Sequence, residues 1–227
     1  MNVAALHDLD LSPAQARRLQ EKLASGVKQG PPLDVGEARY VAGADVSTQG
    51  DEGYAAVTVV SLPDLSVVEA QGVEAELDFP YVSGLLAFRE IPHVAQALAK
   101  VRTAVDAVIF DSQGLAHPRR MGLASHLGLF LDVPSIGCAK SRLCGTYEEP
   151  DPEKGSRRSL VHRGEEVGSV VRTRTGVSPV YVSVGHRMDL ASAVELTLAC
   201  TGRYRLPEPT RQAHLAANRL RRGESLW

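Results

Sequence analysis

Cysteine is scarce in this chain. Its 227 residues include three, Cys138, Cys144 and Cys200, with no CxxC pair among them. That odd number without a CxxC pair suggests neither a disulfide framework nor a zinc site. Long apolar runs are lacking too: no stretch approaches the roughly 20 residues that cross a bilayer. The opening MNVAALHDLDLS carries acids and lacks the continuous apolar segment of a secretory signal. A soluble cytoplasmic protein with reduced thiols is the expectation. Neither sign of charge is in surplus. A formal net charge of −2 argues against a protein that coats nucleic acid by bulk electrostatics, although it says little about local patches.

What is present begins with a 44% hydrophobic content, enough for a real core and consistent with one domain over residues 1–227. Basic residues are clustered. Between Arg203 and Arg222 stand six arginines against one acid, Glu208, with further pairs at Arg119/Arg120 and Arg157/Arg158. Each cluster alone fits a solvated face as well as a contact surface.

Ser12, Pro13 and Gln15 form an N-cap, first-turn proline and capping-box pattern, and Leu19, Leu23 and Val27 follow at helical spacing until Gly30-Pro31-Pro32. Residues 40–47, 54–62 and 66–75 are β-rich and separated by Gly/Asp or Pro/Asp turns, which predicts an antiparallel meander. Residues 85–88 and 94–102 read as a helical hairpin or a helix broken around Pro92. The run 107–110 is too apolar for a one-sided sheet and predicts a central strand. A helix over 121–131 and a buried strand over 134–139 complete a βαβ unit. Strands over 166–174 and 180–184 and helices over 189–199 and 210–222 follow, while the charged, Pro- and Gly-containing segment 146–164 reads as a mobile loop. The sum is an α/β fold with a mixed sheet, antiparallel meander plus parallel βαβ, flanked by helices. Ligands gather at the carboxyl ends of parallel strands in such sheets, where Asp111 and Lys140 close successive strands.

The stretch "VIFDSQGLAHPRR" runs a strand into a carboxylate, an imidazole and two guanidinium groups, more chemistry than a turn requires. Asp45 in "VAGADVS" stands where strand alternation calls for an apolar residue, and Glu90 ends "LLAFRE". Singly, Asp45 could start a turn, Glu90 pair with Arg89 or Arg102, and Asp111 cap a loop. Together, converging carboxylates repel one another and are tolerated chiefly around a divalent cation. All-oxygen ligands favour magnesium or manganese over zinc.

The blocks "VAGADVS", "FPYVSGLLAFRE", "DSQGLAHPRRMGLASHLGLFLDVPSIGCAKSRL" and "PEPTRQAHLAAN", in this order and spacing, resemble endonuclease V, the deoxyinosine-directed 3′ endonucleases with a ribonuclease-H-like fold. The resemblance implies that Asp45, Glu90 and Asp111 hold Mg²⁺, with Mn²⁺ an expected substitute, and that His214 and Lys140 serve the same catalytic centre. It implies a DNA wedge at Pro80, Tyr81, Val82 and Ser83, and a pocket for an extruded base at Gly84, Leu86, Ser112, Gly114 and Leu123. His117, Arg119, Arg120 and Lys140 are then phosphate contacts. The implied activity is hydrolysis of the second phosphodiester 3′ to deoxyinosine, leaving 3′-hydroxyl and 5′-phosphate. The implied partner of this monomer is DNA containing deoxyinosine, with no membrane. Inosine-directed cleavage of RNA and a nucleic-acid binding protein with weakened turnover are the competing expectations.

Two departures stand out. The family usually has glycine where this chain has Ser112 and commonly proline where it has Ser83, changes that narrow a pocket or add a hydroxyl in the first case and free a φ angle in the second.

Overall fold

The computed structural model describes every residue except Ala5, Leu9 and Trp227. The first helix, α1 (Pro13–Ala24), starts on the expected capping box: Gln15 N–H reaches Ser12 Oγ at 3.4 Å while Ser12 N–H donates to Gln15 Oε1 at 2.9 Å. Strands β1 (Tyr40–Gln49), β2 (Glu52–Ser61) and β3 (Val67–Glu76) form the antiparallel meander. Helix α2 (Leu86–Lys100) leads to β4 (Ala107–Phe110), which is buried along its whole length and pairs in parallel with β1 and with β5 (Ser135–Ala139). Covering both faces is what an all-apolar four-residue strand demands. Helix α3 (Leu123–Leu131) makes the β4–β5 crossover.

The sheet continues through β6 (Arg157–His162), β7 (Glu165–Val171) and β8 (Val180–His186), giving an eight-stranded order β3-β2-β1-β4-β5-β8-β7-β6. Helices α4 (Leu190–Ala199) and α5 (Glu208–Arg221) follow. Alternate residues of each strand face opposite layers. Val108 and Phe110 pack with Phe88, Ile91 and Leu98 of α2 and Leu127 of α3, whereas Ile109 and Ile136 pack with Val194 and Leu196 of α4. Helix α5 lies over β1 and β2, where Ala56 meets Ala216 and Ala217. Its close approach depends on Gly43: a Cβ there would stand 2.1 Å from the Pro209 carbonyl carbon.

Two sequence expectations need correction. Pro92 lies inside an unbroken α2; burial of Ile91, Val94 and Leu98 offsets the lost hydrogen bond that would otherwise break the helix. The segment expected to be a mobile loop contains β6, an edge strand in which Leu160 alone is buried. Charged residues on an edge strand discourage pairing with another chain, and that composition resembles a loop. Among the described residues, no helix is long and apolar enough to cross a membrane.

Candidate active site

Parallel pairing of β1 with β4 sets Ala44 opposite Phe110, so the next residues, Asp45 and Asp111, share one rim of the sheet. Lys140 follows the end of the neighbouring β5 and its ammonium forms an ion pair with Asp111. Burial alone would lower the Lys140 pKa, but the Asp111 carboxylate outweighs it and holds the amine above its ordinary value. Asp45 lies on the same face of β1 as Gly43, toward α5. There His214 Nδ1 is 2.6 Å from Asp45 Oδ2. On its other side His214 Nε2 is 3.0 Å from Asn218 Nδ2, and Asn218 Oδ1 accepts from Ser47 Oγ at 3.0 Å. Both ring nitrogens of His214 are thus engaged, one by a carboxylate and one by an amide. As placed, His214 orients Asp45.

Glu90, on α2, does not line the cavity that opens beside this rim but lies near enough to feel the charges of the two aspartates. Burial, followed by the charges of Asp45 and Asp111, pushes its carboxyl up to about 8. Burial and the Asp111 charge likewise raise Asp45, against the lowering contacts of His214 and Lys140. Acids that raise one another in this way are the donor chemistry a hard divalent cation neutralises, so the residues fit magnesium or manganese in kind. They do not form a ready-made cage: among the described residues no three His, Cys, Asp or Glu side chains are grouped as metal ligands. Lys140 and His214 occupy the two aspartates instead.

Beside this rim opens a cavity of about 380 Å³. Asp45, Asp111 and Lys140 line it, as do Tyr81, Val82 and Ser83 of the expected wedge and Gly84, Leu86, Ser112 and Leu123 of the expected base pocket. Tyr81 is 76% exposed at its edge. Pro80 falls outside this cavity, on a neighbouring depression with Phe79. Gly114 also falls outside: its N–H donates to Ser183 Oγ at 2.9 Å, and a Cβ there would meet the Val184 carbonyl oxygen at 2.1 Å. Its role here is close packing against β8.

The residues expected to meet phosphate have internal partners. His117 is 2% exposed and donates from Nε2 to the Gly84 carbonyl at 3.0 Å. Burial, then Arg119, depresses its pKa to about 4, so the ring is neutral at pH 7. Arg119 donates to the same carbonyl at 2.8 Å and to Gln20 Oε1 at 2.7 Å. Arg120 pairs with Glu165 at 2.8 Å. Sequence reasoning missed Gln20, Ser47, Gln113 and Asn218. Gln113 lines the cavity and donates to the Ser141 carbonyl at 2.8 Å, while its Oε1 and Ser112 Oγ are buried without a hydrogen-bond partner. Gln20 is a polar residue four places after Ala16 on the buried side of α1, while Ser47, Gln113 and Asn218 fall inside the motif blocks without being marked out by them.

The sequence model of the endonuclease V family matches residues 21–215. Endonuclease V of Methanothrix thermoacetophila is 49% identical over 215 residues, covering 95% of each chain. The crystal structure of endonuclease V from Streptomyces avermitilis superposes with a TM-score of 0.89 at 40% identity, covering 98% of this chain and 99% of that one. Ciona intestinalis endonuclease V, solved with a 24mer DNA containing an inosine followed by a ribo-adenosine, gives a TM-score of 0.81 at 26% identity over 92% of this chain and 98% of its own. With the acids at one strand rim, the cavity beside them and agreement over nearly the whole length, the chain belongs to the endonuclease V family of nucleases.

Proposed function

We propose that the protein is a magnesium-dependent endonuclease that recognises deoxyinosine in DNA and hydrolyses the second phosphodiester 3′ to it, leaving 3′-hydroxyl and 5′-phosphate. The observation that carries this reading is the juxtaposition of Asp45, Asp111 and Lys140 with a cavity of about 380 Å³ edged by the exposed Tyr81, in a chain of this family. Asp45, Glu90 and Asp111 would hold the metal. When bound, it would lower the pKa of a water and cover charge developing on the departing oxygen.

The chain's own residues account for the remaining steps. Tyr81 fills the gap left by an unstacked base, where stacking contributes about 1–3 kcal/mol and offsets part of the unstacking cost. Hypoxanthine presents an N1–H donor and an acceptor at position 6 where adenine presents the reverse, so fixed polar groups in the cavity wall would accept one and reject the other. Lys140 supplies a cation at the rim for phosphate, and His214 holds Asp45 in place. The protein acts as a monomer in this reading.

Cleavage beside inosine in RNA is a second reading. It is favoured by the Ciona intestinalis complex, whose nucleic acid carries a ribonucleotide after the inosine. Oligonucleotides that contain inosine and differ only in the sugar that follows it, incubated with the protein and magnesium, decide between them. Equal cleavage supports the DNA reading, and cleavage confined to the ribonucleotide substrate supports the RNA reading.

A further inference from the structure

Three donors from distant parts of the chain converge on one carbonyl, that of Gly84. Gln20 Nε2 reaches it at 3.0 Å, His117 Nε2 at 3.0 Å and Arg119 Nη2 at 2.8 Å. Gly84 has φ +76°, a left-handed conformation that favours glycine, and a Cβ there would stand 3.0 Å from Arg119 Nη2. A carbonyl oxygen has two lone pairs, and three donors saturate it. This peptide is anchored, and it closes the segment 80–84 that presents Tyr81.

Tyr81 cannot fix its own position, being 76% exposed. The segment is held by the turn bond from Leu85 N–H to the Val82 carbonyl at 2.8 Å, by Val82 packed against the core, by Arg89 Nη1 on the preceding Phe79 carbonyl at 2.5 Å and by the anchor at Gly84. Gln20 is the centre of that anchor. It is 1% exposed, and its carboxamide is fully used: Nε2 also donates to the Met121 carbonyl at 3.0 Å, while Oε1 accepts from Arg119 Nε at 2.7 Å. Met121 precedes Gly122 and Leu123, which form the cavity wall. One side chain of α1 thus ties the tyrosine segment, the wall of the cavity and Arg119 together. A buried carboxamide that merely filled space would lose to an apolar residue of the same size, because its desolvation is offset only by complete hydrogen bonding.

We propose that Gln20 is a positioning residue for base displacement: with His117 and Arg119 it clamps the Gly84 carbonyl and so sets where Tyr81 enters the duplex. This rests on the nuclease reading above and goes beyond it by assigning α1 a part in lesion recognition.

The test compares the full chain with Gln20→Leu, Gln20→Glu and the double variant Gln20→Leu/Ser83→Pro. Gln20→Glu keeps an acceptor for Arg119 and removes the donors to Gly84 and Met121. Each is given duplexes with inosine or adenine and a 2-aminopurine beside that position, and the fluorescence rise before turnover reports unstacking. Gln20→Leu and Gln20→Glu should each raise KM for the inosine duplex about tenfold and diminish the fluorescence rise. kcat at saturation should stay within about twofold. Ser83→Pro, by stiffening the same segment, should recover part of the loss. Unchanged KM and fluorescence in either single variant would overturn the proposal, as would a loss confined to kcat or one that Ser83→Pro leaves untouched. If Gln20→Leu fails to fold, Gln20→Glu decides the matter alone. A wild-type protein indifferent to inosine would instead defeat the nuclease reading, and the proposal with it.

Discussion

Asp45 and His214 are 169 residues apart in sequence, yet His214 Nδ1 stands 2.6 Å from Asp45 Oδ2. The pairing exists because β1 ends its parallel contact at Ala44 and α5 crosses that strand over Gly43. Groups that orient an acid in a catalytic centre matter nearly as much as the acid itself. Asn218→Ala, which deprives His214 Nε2 of its amide partner, is therefore expected to lower kcat by about tenfold or more. Ser47→Ala, one bond further out, should lose less. Steady-state cleavage of an inosine oligonucleotide measures both, and a larger loss for Ser47→Ala would contradict the order of the chain.

Gly43 makes that crossing possible. A methyl group there meets the Pro209 carbonyl carbon and oxygen and the Thr210 nitrogen, all within 2.4 Å. Gly43→Ala should destabilise the fold by roughly 1–3 kcal/mol and cut the rate further by shifting α5 and His214. Chemical denaturation together with cleavage assays checks this. A neutral substitution would mean that α5 sits elsewhere.

Ser112 lies in the cavity wall with its hydroxyl buried and without a partner. Ser112→Ala should raise stability by about 1 kcal/mol, the cost of an unsatisfied hydroxyl, as read from the melting temperature. Ser112→Gly, which widens the cavity, should raise cleavage of inosine substrate. Unchanged rate and base preference would show that the hydroxyl is no obstacle.

His126 gives the pH dependence of stability a sign. Burial, followed by the charge of His7, depresses its pKa to about 3, whereas an unfolded histidine titrates near about 6.5. Between these values the unfolded chain binds the extra proton, so the contribution is complete above about pH 6.5 and is lost as the pH falls toward 3. His117, depressed to about 4, acts in the same direction. His126→Phe should remove roughly 1–2 kcal/mol of the stability loss between about pH 7 and pH 5. Denaturation curves of both proteins at the two values test it, and parallel losses would contradict it.

Much of this architecture could be read from sequence where a local pattern decides the outcome. The Ser12/Gln15 capping box, the all-apolar Ala107–Phe110 and the turns between β1, β2 and β3 each impose one solution. Asp45, Asp111 and Lys140 were legible because they interrupt or end strands. Gln20, Ser47 and Asn218 were not, since their meaning lies in partners brought near by the fold: Gln20 meets Gly84 and Asn218 meets Ser47 across 64 and 171 residues. Pro92 and β6 misled for the opposite reason, as burial and sheet pairing override what each segment prefers alone.

The decisive experiment incubates matched inosine and adenine oligonucleotides with the protein, with and without magnesium, beside an Asp45→Ala control. The expected result is a cut 3′ to inosine that needs both the metal and Asp45 and spares adenine. Equal cutting of the two substrates, or cutting that survives chelation or the loss of Asp45, would contradict a metal-dependent, inosine-directed nuclease built on these acids.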